Sequence, residues 1–133
     1  MEEFINDYIE MKYDNNILIA KFINSETYFN MELAKRLVRE RIEFTKGEDH
    51  YLCLYASNFT YAGNDVRKFM SNEGAQNITA GAFIVNSAFS SVFFNFFIKV
   101  SGMGNKVPMK CFTSEESAIE WIEKLKKNHL IES

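Results

Sequence analysis

Tyr8-Ile9-Glu10-Met11-Lys12-Tyr13-Asp14-Asn15-Asn16-Ile17-Leu18-Ile19-Ala20-Lys21-Phe22-Ile23 holds two apolar-rich runs separated by three turn-forming residues. Asn and Asp tolerate the left-handed backbone that tight turns need. Tyr8–Tyr13 and Ile17–Ile23 are therefore predicted to pair as a β-hairpin about Asp14-Asn15-Asn16.

Downstream of the hairpin, helical and strand patterns alternate. Asn30 is placed to cap a helix running to about Thr45, whose apolar stripe is Leu33, Ala34, Leu37, Val38 and Ile42. Gly47 then punctuates the chain. Tyr51-Leu52-Cys53-Leu54-Tyr55 is short and almost wholly apolar, as expected of a strand covered on both faces. Asn64 opens a short helix with Val66, Phe69 and Met70, and Ala80–Val85 reads as the next strand.

A helix is expected over Ser87–Val100, followed by a strand over Val107–Phe112 whose Pro108 suits its beginning. Thr113 and Glu116 have the T-x-x-E spacing of a capping box for the last helix, which carries Ala118, Ile119, Trp121, Ile122 and Leu125. Lys124, Lys126 and Lys127 complement that helix's dipole. The predicted order is β-β-α-β-α-β-α-β-α, an α/β fold with a mixed sheet and helices packed on it.

Composition bounds the function. A chain of 133 residues fits one domain, here residues 1–133 with a short tail at 128–133. With 47% hydrophobic and 25% charged residues it can bury a core without a metal or disulfide staple. Its net charge of −3 argues against a nucleic-acid partner, which would reward clustered Lys and Arg. The densest basic stretch, Lys35–Arg41, is interrupted by Glu40 and reads as a solvated helix face.

Cys53 and Cys111 sit in apolar runs and read as core residues. The acidic start Met1-Glu2-Glu3-Phe4 lacks the pattern of a signal peptide, and unpaired thiols suit the cytoplasm. Ala80–Val100 is interrupted by Asn86, Ser87, Ser90, Ser91, Asn95 and Lys99, too many polar residues for a transmembrane span.

Several stretches carry a family likeness. They are Asn64-Asp65-Val66-Arg67-Lys68-Phe69, Gly81–Ser87, Asn95-Phe96-Phe97, and Val107–Glu116 with Ala118-Ile119-Glu120-Trp121. Together with the element order they resemble the SpoIIAA-like fold of STAS and STAS/SEC14-like domains, nearest to small bacterial members. The resemblance implies a protein-interaction or regulatory module. In anti-sigma-factor antagonists of this fold, a serine at the helix after the third strand is phosphorylated. Here that helix opens at Asn64, and Ser57 and Thr60 are the hydroxyls of the matching loop.

Catalytic groups are sparse. His50 lies in a polar turn and His129 in the tail, both expected in solvent and neither at ligand or triad spacing. Gly102-x-Gly104 follows a helix, whereas a dinucleotide fingerprint opens one. Asp65 suits a first helical turn. Arg67 serves either an anionic ligand or partner carboxylate, or a structural ion pair. No catalytic residue, metal or cofactor is assigned.

The Ser87–Val100 segment is the most suggestive. At about 100° per residue, Phe89, Val92, Phe93, Phe96, Phe97 and Val100 form one stripe for the sheet. Phe94 and Ile98 fall outside it, beside Asn95. Two neighbouring apolar residues on an outer face favour association, whereas a rotated helix would bury them.

The expectation is a non-enzymatic module that forms a homodimer or meets a protein partner through Phe94, Asn95 and Ile98. Ser57, Thr60, Asp65 and Arg67 form the ligand or partner loop. The alternative is a SEC14-like carrier of a lipid or other apolar small molecule.

Overall fold

The computed structural model describes residues 2–23, 30–55, 64–86 and 107–132. In chain order these form β1 (Glu2–Ile5), β2 (Ile9–Asp14), β3 (Ile17–Phe22), α1 (Met31–Phe44), β4 (His50–Tyr55) and α2 (Asn64–Ser71). A 3₁₀ turn at Glu73–Ala75 follows, then β5 (Ile78–Ile84), β6 (Met109–Phe112) and α3 (Glu115–Glu132). The helix expected over 87–100 lies outside the described residues, and with it Phe94, Asn95 and Ile98.

The strands form a six-stranded mixed sheet in the order β1-β2-β3-β4-β5-β6. Pairing is antiparallel through β3 and parallel from β3 onward. The hairpin is as expected. Asp14 faces Ile17, and Asn15 (φ 52°) and Asn16 (φ 63°) are both left-handed, as a two-residue type I′ turn requires.

Strand β1 is an addition at the head of the predicted order. Its Glu2-Glu3 start gives no clean alternation, and only pairing with β2, from Glu2 opposite Tyr13 to Ile5 opposite Glu10, makes it a strand. The last helix also starts differently from expectation. Ser114, not Thr113, caps it, with Oγ accepting from Ser117 N at 3.2 Å. The helix continues through 128–132, the residues expected as a tail.

The β3–β4 and β4–β5 crossovers step in the same direction, so right-handed connections place α1 and α2 on one face. There α1 and α2 pack Leu33, Leu37 and Val66 against Met11, Leu18, Ala20 and Phe22. Following β6, α3 takes the other face, where Ala118 and Ile122 meet Ile17, Tyr51, Cys53, Ala82 and Ile84. Leu18 and Ile122 are fully buried, each contributing about 1.5–3 kcal/mol of transfer free energy.

Asn30 caps α1 as predicted, accepting from Leu33 N at 2.8 Å. The two cysteines are buried as expected and lie on opposite faces of the sheet. Cys53 packs with the α3 cluster, whereas Cys111 neighbours the α3-facing Phe112 and points the other way.

Candidate functional site

Open parallel sheets usually receive ligands beyond the carboxyl ends of their strands. At that edge Tyr55 ends β4, and its hydroxyl donates to Glu115 Oε1 at 2.5 Å, in the first turn of α3. The Lys21 ammonium lies 5.3 Å from the centre of the Tyr55 ring. Burial and the Glu115 carboxylate push the Tyr55 phenol up to about 12. This phenol remains protonated at neutral pH, which makes it a hydrogen-bond donor and disqualifies it as a base.

Of the residues expected to form the loop at this edge, Asp65 is exposed in the first turn of α2. Ser57, Thr60 and the Arg67 side chain lie outside the described residues.

The opposite end of the sheet holds a buried polar cluster that the sequence reading missed. Arg41, the last residue of the supposed solvated stretch, is 7% exposed, and His50, expected in solvent, is 0% exposed. Both expectations fail for the same reason. Arg41 falls four residues after Leu37 and so continues the buried stripe of α1, while His50 is already the first residue of β4. The i+4 spacing from Leu37 was the legible signal for Arg41.

The cluster's hydrogen bonds define its chemistry. His50 Nδ1 lies 2.9 Å from the Glu48 carbonyl, which can only accept, so Nδ1 carries the proton. Nε2 is then free to accept from Arg41 Nη1 at 2.9 Å. Arg41 also donates to Gln76 O at 3.0 Å and to Gly74 O at 2.8 Å. Thr45 Oγ1 returns a bond to Arg41 O at 2.9 Å.

No carboxylate joins this guanidinium among the described residues. Burial pulls its pKa down to about 10, which leaves it charged at neutral pH. Burial lowers the His50 pKa, aided by the Arg41 charge and opposed by the Glu48 carbonyl. A neutral imidazole and carbonyl dipoles solvate the cation, and the cluster ties α1, β4 and the 3₁₀ turn together.

Other candidates are accounted for locally. Burial pushes the Cys53 thiol up to about 12 and Cys111 to about 11, so neither is a poised nucleophile. His129 is exposed as expected, with Nδ1 2.6 Å from the Tyr51 hydroxyl. A groove of about 300 Å³ beside the hairpin turn is lined by Glu2, Tyr13, Asp14, Asn16, Lys46 and Glu48, a polar lining unsuited to an apolar ligand. Among the described residues, no three His, Cys, Asp or Glu side chains converge as metal ligands, and no helix is long and apolar enough to cross a membrane.

No curated protein and no solved structure matches the chain. One family does, a domain of unknown function designated DUF7793, and its match spans residues 11–126, from β2 well into α3. Since that span covers most of the sequence, the chain belongs to the DUF7793 family.

Proposed function

We propose that this domain is a non-enzymatic binding module of the STAS-like, SpoIIAA-like kind, which acts by surface contact and self-associates in the cytoplasm. One observation carries the reading. On the face that α3 covers over β4, β5 and β6, the neighbouring part over β1 and β2 stays open among the described residues, with Ile5 69% exposed. Ile5 is a large apolar side chain left in water beside the charged Glu3, Glu10 and Lys12, and association would bury it.

The conspicuous polar groups support the same reading, since Arg41, His50 and Tyr55 all spend their hydrogen bonds inside the fold. The strand Met109–Phe112 followed by the helix Glu115–Glu132 supports the strand-then-helix part of the ending on which the STAS-like resemblance drew. Phe94, Asn95 and Ile98 are proposed as a contributing surface on the sequence pattern.

Light scattering across a concentration series tests the proposal. Wild type is expected to dimerise at micromolar concentrations and Phe94→Glu to weaken that dimer. A wild-type monomer at high micromolar concentration would overturn self-association. An apolar molecule copurifying in native mass spectra would favour the carrier alternative.

A further inference from the structure

The Arg41–His50 pair holds down the short connection between α2 and β5. Arg41 donates to Gly74 O and Gln76 O there, and the His50 backbone N–H donates to Asn77 O at 2.8 Å. Side chains tie the two ends of the connection, Asn72 Nδ2 to Lys68 O at 2.9 Å and Asn77 Nδ2 to Gly47 O at 2.8 Å. Between them the guanidinium grips the middle. The connection's own backbone bonds, Ala75 N to Asn72 O and Gln76 N to Glu73 O, both run to 3.2 Å, the long end of the range. Of residues 72–77 only Gly74 is buried.

That grip needs a neutral imidazole. His50 Nε2 accepts from Arg41 Nη1 only while it carries no proton. A protonated ring would set two cations 2.9 Å apart in residues 0% and 7% exposed, where salt screens repulsion poorly. The other charged or titratable groups beside the ring are Tyr13, edge-on from β2, and Glu48 and Asp49 from the segment before β4. Glu48 accepts from the Tyr13 hydroxyl at 3.3 Å, and Asp49 Oδ1 accepts from Asn77 Nδ2 at 3.3 Å. Neither carboxylate bonds to Nε2.

We propose that Arg41 and His50 form an acid-operated clasp on the 3₁₀ turn, closed while the imidazole is neutral and released when it gains a proton. Letting the turn swing away admits water to both cations and sacrifices only the two Arg41 bonds and the burial of one glycine. Unfolding the sheet would expose the whole core for the same relief, so the local route is favoured.

The direction follows from linkage. Burial holds His50 below its ordinary pKa in the closed form, whereas the open form presents an ordinary imidazole near about 6.5. The open form therefore takes the proton more readily, and its share grows as pH falls below about 6.5.

Amide hydrogen exchange reads the clasp. The Ala75 and Gln76 amides report the turn, and those of Leu18 and Cys53 on inner strands report the whole fold. From pH 7.5 to pH 5.5, protection of Ala75 and Gln76 is expected to fall by up to about tenfold. It should ignore low urea, because opening the turn exposes little surface, whereas Leu18 and Cys53 should be better protected and lose protection steeply with urea. His50→Gln, whose carboxamide oxygen can accept from Arg41, should abolish the pH dependence.

Turn amides that match Leu18 and Cys53 in protection and urea dependence would overturn the proposal, since the turn would then open only with the whole fold. Wild-type protection that ignores pH would overturn it too, as would a pH dependence that survives in folded His50→Gln. Circular dichroism verifies the variant's fold, and the wild-type series decides alone if that fold is lost.

Discussion

Arg41 Nη1 donates to His50 Nε2 at 2.9 Å inside the domain, so a buried cation depends on a neutral imidazole. Protonating His50 would remove that acceptor and set two positive charges in contact. Tyr13 packs its ring edge-on to the imidazole, and Glu48 and Asp49 are the nearby acids that partly offset the repulsion.

The folded-state pKa of His50 lies below its ordinary value of about 6.5. Between the folded and unfolded values the unfolded chain binds more protons. Stability is therefore full above about pH 6.5 and falls as pH drops through the folded pKa. Urea unfolding measured from pH 8 to pH 5.5 should show this decline, and His50→Gln should flatten it. Equal slopes in both proteins would refute the assignment.

Removing the guanidinium strands several acceptors at once. Arg41→Met leaves Gly74 O, Gln76 O and His50 Nε2 without their donor and is expected to cost about 2–4 kcal/mol. Arg41→Lys should recover only part of this, because an ammonium cannot span all three acceptors. Denaturant midpoints at constant m-value give the comparison.

The caps can be told apart by mutation. Ser114→Ala removes the acceptor for Ser117 N and should lose about 1 kcal/mol. Thr113→Ala, the change that a T-x-x-E cap would make costly, should lose clearly less. Thermal melts of the two variants decide it.

Turn chemistry gives a sharper contrast. At φ 52° Asn15 sits where a Cβ without a polar side chain is penalised, so Asn15→Ala should destabilise by about 1 kcal/mol. Asn15→Gly should be near neutral in the same unfolding assay.

Thiol labelling probes both sheet faces. Cys53 is 0% and Cys111 3% exposed, and burial holds both thiols protonated. At pH 8 the native protein should resist a disulfide reagent, and both thiols should react in denaturant. Rapid labelling of either in the native state would contradict this burial.

Much of the framework was legible because its determinants are local. Asp14-Asn15-Asn16 marked the hairpin, Asn30 the start of α1, and the apolar runs β4 and β5. Strand β1 was illegible because Glu2 and Glu3 carry no strand pattern until β2 lies beside them. His50 was misread because a turn neighbourhood suggests solvent, whereas α1 and the 3₁₀ turn close over it from distant sequence. At the candidate edge, the sequence offered Asp65 but gave no hint that Tyr55 and Glu115, 60 residues apart, would join.

Turn preference and side-chain period act over a few neighbouring residues, so the alternation of helix and strand, the hairpin and the burial of both thiols could be read from the chain directly. The meeting of Arg41 with His50, the face that α3 covers, and the sharing of one sheet face by Glu3, Glu10, Lys12 and Lys21 came from the assembled fold. Those relations depend on strand register and helix placement, which emerge when segments far apart in the chain bury their apolar sides together.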